Sequence, residues 1–234
     1  EGERWNKHNL RAYIWENCDK DRSGIAKGAF DKDFGYRKYA EYILNGPPIF
    51  MDDGEKMYPT RDRLVREMFN PENYSVEELE HILTMFFPDV RTKRYVEIRM
   101  IDAIPYPLNL AAVALLKGIL YDEENLNKIY EYIKDINMDD IEKIKTSIFN
   151  KGIEGEFKDK SIYEIGKMIV DMAKKGLDSA EKKYILPLEK MINDKKNPYE
   201  IIKEKEHLGK KEAIDWCMLN YIMEGNKYGW IKCN

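Results

Sequence analysis

Cysteine is scarce in this chain: Cys18, Cys217 and Cys233 lie far apart and form no C-x-x-C pair. That excludes a zinc knuckle or disulfide framework as the first reading, and a reducing, cytoplasmic setting is expected. Histidine is equally sparse. His8, His81 and His207 each lack a second histidine or cysteine at ligand spacing, so no metal site rests on them. Long apolar runs are missing too. The best candidate, Ala103 to Leu116, carries two prolines and falls short of the roughly 20 residues a membrane span needs. Charge of one sign is also lacking, since 39 basic against 43 acidic residues leave a net −4. A nucleic-acid partner is therefore not expected; the lysines from Lys203 to Lys211 interleave with glutamate as a solvated helix face does. No signal peptide and no initiator methionine are present. The chain opens on Glu1-Gly2-Glu3-Arg4-Trp5, as expected for part of a longer protein.

What is present is charge over a core. Hydrophobic residues make up 43% and charged residues 35%, the latter well above the usual quarter, within a length of 234 that suits one large or two small domains. The texture changes near Tyr121, which divides the chain into 1–121 and a mostly helical 122–234. Asp122, Asp139 and Asp178 each precede an apolar stripe at helical spacing, and Ser161 with Glu164 forms a capping box. Pro187 is expected to bend or interrupt its helix, and Asn197-Pro198 to start the next. A last helix is expected over Lys210 to Glu224, burying Ile214, Cys217, Met218, Tyr221 and Ile222. The first half is mixed. A helix over Phe34 to Leu44 stops at Gly46-Pro47-Pro48, a short strand Ile49 to Met51 enters a turn at Asp52-Asp53-Gly54, and Ser75 to Glu78 caps a helix ended by Pro88.

Val90 to Asp102 shows the clearest two-residue alternation, which predicts one strand with Val96, Ile98 and Met100 facing the core. Lys93, Tyr95, Glu97 and Arg99 would share the other face. Two arrangements fit that pattern. The polar face is either solvated on a surface strand, or it lines a cleft where Glu97 holds a hard cation and Arg99 neutralises a phosphate.

The stretch Arg91 to Arg99, reading R-x-K-R-Y-x-E-x-R, resembles the glutamate–cysteine ligase family of the plant and proteobacterial type. The resemblance continues through Asp102, Pro105 and Gly118-Ile119-Leu120-Tyr121-Asp122. Backward it takes in Trp15, Asp19, Asp21-Arg22-Ser23-Gly24 and Phe34-Gly35-Tyr36 with Tyr39 and Tyr42. Further on it is similar only in the neighbourhood of Gly176-Leu177 and Asp178-Ser179-Ala180. The resemblance implies an α+β fold, in which part of a glutamine-synthetase-like antiparallel active-site sheet is followed by the helical region. It also implies ATP and Mg2+ as cofactors, and glutamate and cysteine joined through a γ-glutamyl phosphate in the first step of glutathione synthesis. By the same resemblance Glu97 is a metal ligand and Arg99 the catalytic contact to phosphate. Arg11, Arg22, Lys93 and Tyr95 are substrate-binding, with Arg22 alternatively a salt-bridge partner of Asp19 or Asp21. The segment Ile104-Pro105-Tyr106-Pro107 departs from the family's glycine-glycine-proline-tryptophan. The chain corresponds to a C-terminal portion, and the isolated portion is expected to be inactive. Rival readings are a related ligase using another amine and a noncatalytic helical interaction module.

Overall fold

The computed structural model describes residues 5–52 and 55–218. They fall into two compact units, one of Asn9–Ile101 and one of Glu1–His8 with Asp102–Asn234. The change of texture at Tyr121 lies inside the second unit, because the helix that precedes it packs on later helices.

The first unit begins with α1 (Leu10–Cys18), capped by Asn9, whose side chain accepts from the Ala12 N–H at 3.2 Å. α2 (Tyr36–Leu44) follows the short β1 (Ser23–Gly24) and buries Tyr39 and Ile43, one turn apart on one stripe. The chain stops at Gly46-Pro47-Pro48 as expected and makes β2 (Phe50–Asp52), paired antiparallel with β3 (Met57–Pro59). Asp53 and Gly54 of the expected turn lie outside the described residues. After the one-turn α3 (Val65–Met68), α4 (Val76–Thr84) starts at Ser75, whose hydroxyl accepts from the Glu78 N–H at 3.0 Å. On it Ile82 is buried, while Val76 and Leu79, nearer its start, are exposed. Beyond it, β4 (Phe87–Pro88) pairs parallel with β1. The core of this unit gathers Tyr39, Ile43, Met51, Val65, Ile82, Met85 and Phe86.

The single strand expected over Val90 to Asp102 is instead a hairpin. β5 (Val90–Thr92) and β6 (Val96–Ile98) run antiparallel, with Arg91 opposite Glu97, and the Lys93 N–H bonds to the Tyr95 carbonyl across the turn. Alternation continues through the turn, so it could not reveal that the chain reverses there. Nor is the apolar side a core face, for Val96 is 62% and Met100 54% exposed. Alternation distinguishes two faces without saying which is covered.

The second unit is helical. α5 (Leu108–Leu120) crosses α8 (Ile162–Gly176) and packs on α9 (Lys182–Asn193), closing a core of Ala114, Ile119, Val170, Ala173, Leu177 and Ile185. Close crossing needs small residues. A Cβ added to Gly118 would lie 2.2 Å from the Ala173 carbonyl oxygen, and one on Gly176 the same distance from the Gly118 carbonyl oxygen. α6 (Glu123–Ile133) touches both α5 and α8, and its buried Asn125 donates to the carbonyls of Gly118 and Met172, each at 2.8 Å. Asp122 caps α6 as expected. α7 (Met138–Lys151) starts earlier than the expected Asp139, because Asn137 and Asp140 make the capping box. A small hairpin of β7 (Glu156–Phe157) and β8 (Lys160–Ser161) leads into α8.

Both halves of the Ser161–Glu164 box are present, with the Glu164 N–H on the Ser161 hydroxyl at 3.2 Å and the Ser161 N–H on the Glu164 carboxylate at 2.8 Å. The bond from the Ser161 backbone, then that from its hydroxyl, holds the Glu164 carboxyl below its ordinary value of 4.5. A depressed carboxyl stabilises the fold above its unfolded pKa, and that contribution fades as pH falls through the folded value. Amide exchange at Ser161 is therefore expected to lose protection on acidification below pH 4.5. In Glu164→Gln the same profile is expected to be flat.

α9 runs unbroken through a buried Pro187, and Asn197 with Pro198 opens α10 (Pro198–Lys205) as expected. α11 (Lys210–Ile214) is shorter than the expected helix: Ala213 is buried, but Ile214 and Met218 are exposed. Tyr221, Ile222 and Cys233 lie outside the described residues. The α+β class holds. The described strands form four two-stranded ladders, and no larger antiparallel sheet of glutamine-synthetase type is built among them. No helix among the described residues is long and apolar enough to cross a membrane.

Candidate functional site

All six candidate residues belong to the Asn9–Ile101 unit, and the β5–β6 hairpin carries the core of the cluster. Glu97 sits in the middle of β6, and Arg99 follows two residues later on the same side, as the period of a strand requires. The Arg99 Nη1 donates to the Glu97 Oε1 at 2.8 Å. Across the ladder, Arg91 grips the same carboxylate with its planar fork: Nε to Oε2 at 2.9 Å, Nη2 to Oε2 at 2.8 Å and to Oε1 at 3.1 Å. Burial raises the Glu97 carboxyl, and the two arginines together outweigh it, so the group lies below the usual carboxylate range and is ionised at neutral pH.

Arg99 rests on an aromatic base. Its guanidinium lies 5.7 Å from the ring centre of Phe87, which in turn contacts Trp15 with ring centroids 6.3 Å apart. Its backbone is fixed as well. The Arg99 N–H donates to the Asp89 carbonyl at 2.9 Å, and the Arg11 Nη2 donates to the Arg99 carbonyl at 2.8 Å. Arg11 is thus brought to the cluster, where it holds the chain leaving β6.

Arg22 stands apart from that carboxylate. Its Nε pairs with the Asp19 Oδ2 at 2.6 Å and its Nη1 donates to the Pro47 carbonyl at 2.8 Å, the arrangement of a turn-fixing ion pair. Around it the backbone is tied down: the Tyr42 hydroxyl and the Phe87 N–H both donate to the Arg22 carbonyl. Burial pushes the Tyr42 hydroxyl well above its ordinary pKa, so it stays a donor. Lys93 and Tyr95 lie outside both strands. They occupy the hairpin turn, where Tyr95 is exposed.

Sequence reasoning gave Arg91 no role of its own. Two charges, Lys93 and Arg94, sit where a hairpin turn ordinarily shows asparagine or glycine, so nothing marked the reversal that lays Arg91 against Glu97.

The donor chemistry suits one kind of metal. Magnesium takes hard oxygen ligands, commonly one or two carboxylates with the rest from water and nucleotide phosphate, and Glu97 offers one such carboxylate beside a guanidinium. An all-protein cage is not available, because no group of three or more histidine, cysteine, aspartate or glutamate side chains could hold a metal among the described residues.

A cavity in this unit, about 620 Å³, opens between Lys20, Asp21, Lys27, Asp31, Lys38 and Glu41. Its charges are mutually paired in part, with Lys38 bridging Asp31 and Asp33 at 2.6 and 2.5 Å.

The family profile described as glutamate-cysteine ligase family 2 matches residues 1–223. Among curated proteins, the chain is similar to the chloroplastic glutamate–cysteine ligase of Nicotiana tabacum, 30% identical over 177 residues that make up 73% of this chain and 34% of the relative. The corresponding protein of Medicago truncatula is 26% identical over 217 residues, 88% of this chain and 43% of its own length. Glutamate–cysteine ligase A of Oryza sativa subsp. indica is 31% identical over 177 residues, 73% of this chain and 36% of its own length. This chain therefore spans about a third to two-fifths of the curated relatives it matches. Every one of those relatives is a chloroplastic protein by name, which overturns the expectation of a cytoplasmic setting drawn from cysteine usage. Sparse, unpaired cysteines report a reducing environment and do not distinguish one reducing compartment from another. With the match running over nearly all its residues, this chain belongs to glutamate–cysteine ligase family 2.

Proposed function

We propose that this chain supplies the phosphate-facing part of an ATP-dependent ligase that joins the side-chain carboxylate of glutamate to the amine of cysteine. The observation that carries the reading is the pair Glu97 and Arg99, a carboxylate in β6 and a guanidinium just past its end, 2.8 Å apart. A γ-carboxylate is a poor acyl donor because its oxygen leaves badly. Transfer of the terminal phosphoryl group of ATP to that oxygen releases ADP and gives γ-glutamyl phosphate. The cysteine amine then attacks the acyl carbon, the C–N bond forms, the C–O bond breaks, phosphate departs and the amine's proton goes to solvent.

The protein's part in this is positioning and charge neutralisation. Arg99 would contact the transferring phosphoryl group, held from behind by Phe87 and along its backbone by Arg11. Glu97 would provide a ligand to Mg2+, which when bound offsets charge on the phosphates. Arg22, locked by Asp19 and Pro47, would shape the turn that follows α1, while Lys93 and Tyr95 in the hairpin tip would reach toward substrate from the edge. The strand edges of the β5–β6 hairpin and its open Val96 and Met100 side suit incorporation into a larger glutamine-synthetase-like sheet.

The test is an assay of a polypeptide as long as the relatives and carrying this chain, with ATP, glutamate and a panel of amines. Cysteine-dependent release of ADP and formation of γ-glutamylcysteine is the expected result. The altered Ile104 to Pro107 segment favours a second reading, in which another amine is preferred, and the same panel reads it directly. Absence of ATP binding would reject both in favour of a noncatalytic module. For the isolated 234-residue chain no product is expected, and any ATP- and cysteine-dependent product from it would overturn that expectation.

A further inference from the structure

We propose that Arg91 is a positioning residue: it is the fixed half of a two-arginine bracket on Glu97, and Arg99 is the half that exchanges Glu97 for a phosphate oxygen. This rests on the reading of Glu97 and Arg99 as phosphate-site residues. An arginine carries its N–H donors on three nitrogens, and in Arg91 all three are engaged. Three bonds go to the Glu97 carboxylate, and Nη1 holds the carbonyls of Thr84 at 3.2 Å and Phe86 at 3.1 Å, where α4 ends. Arg91 is also only 7% exposed, so it offers no opening for a ligand.

Arg99 differs in each respect. Among the described residues one of its side-chain donors is engaged, the Nη1 on Glu97, and its side chain is 24% exposed. Its backbone is clamped by Arg11 and Asp89, and its guanidinium lies over the Phe87 ring. Two arginines and one glutamate leave a net charge of +1, which suits an anion. With Arg91 retaining Glu97, the release of Arg99 to a phosphate does not leave a carboxylate without a partner. Without Arg91, Glu97 would hold Arg99 alone and its charge would oppose the phosphate.

Lysine keeps the charge of Arg91 but lacks the fork that reaches both carboxylate oxygens and the α4 carbonyls together. The experiment uses the relative-length polypeptide and measures ATP affinity by calorimetry without magnesium, with thermal midpoints alongside. Arg91→Lys is expected to weaken ATP binding about tenfold, and Arg91→Lys with Glu97→Gln to recover most of that loss. A purely structural role predicts the opposite for the pair, since removing both members would damage the site further. Wild-type affinity in Arg91→Lys, or a double variant no better than the single, would overturn the proposal. Should Arg91→Lys fail to fold, Glu97→Gln alone decides: freeing Arg99 should tighten magnesium-free ATP binding, and weakened or unchanged binding rejects the bracket. Arg99→Ala separates the two layers. If it leaves ATP affinity unchanged, the phosphate-site reading itself fails; if it weakens affinity and Arg91→Lys does not, only the role of Arg91 falls.

Discussion

Gly118→Ala is expected to destabilise the helical unit by about 3 kcal/mol, measured as a fall in the midpoint of chemical denaturation. Helix propensity alone argues the other way, since alanine in a helix interior is favoured over glycine by about 1 kcal/mol. The clash decides the sign. A methyl group 2.2 Å from the Ala173 carbonyl oxygen meets backbone of α8, which cannot turn aside as a flexible side chain can, so the two helices must separate and open the core around Ile119 and Ile185. Gly166 is the control. On α8 its added Cβ would meet only the tip of Ile192 at 3.5 Å, so Gly166→Ala should stabilise by up to about 1 kcal/mol. A neutral Gly118→Ala, or equal effects at both positions, would show that the crossing is looser than its geometry implies.

Arg99→Ala is expected to lower kcat of the relative-length enzyme by about 10²- to 10³-fold, the usual consequence of deleting one preorganised donor to developing charge. Its side chain contributes little to the core, so the thermal midpoint should barely move. Arg99→Lys should recover part of the loss, because a point charge remains but the planar guanidinium that rests on Phe87 does not. A decrease in kcat of less than about tenfold, worth about 1.4 kcal/mol of barrier, would remove Arg99 from the reacting centre.

Much of the helical unit was legible in advance because its signals are local. Asp122, Ser161 and Asn197 each cap the helix their spacing announced, for a cap involves only the next three residues. The cap of α7 is Asn137, two residues before Asp139, because its side chain offers the same acceptor chemistry. The adjacency of Glu97 and Arg99 was legible because the period of an extended chain puts them on one side. What the hairpin does to them was not. Lys93 and Tyr95 share the alternation of Glu97 and Arg99 yet lie in the turn, and only pairing in three dimensions shows it. The same reversal explains Arg91, whose partner six residues away lies on another strand. Exposure of Val96 and Met100 was hidden for a different reason, as burial depends on neighbours that a strand's own residues do not specify.

The amide of Asn125 has a consequence for dynamics. Because its two N–H bonds tie the end of α5 to the last turns of α8 while its own backbone closes the first turn of α6, none of these three helices can open without orphaning a buried polar group. Native-state hydrogen exchange should therefore report α5, α6 and α8 as one foldon with a shared opening free energy, and Asn125→Leu should split it into independently fraying segments.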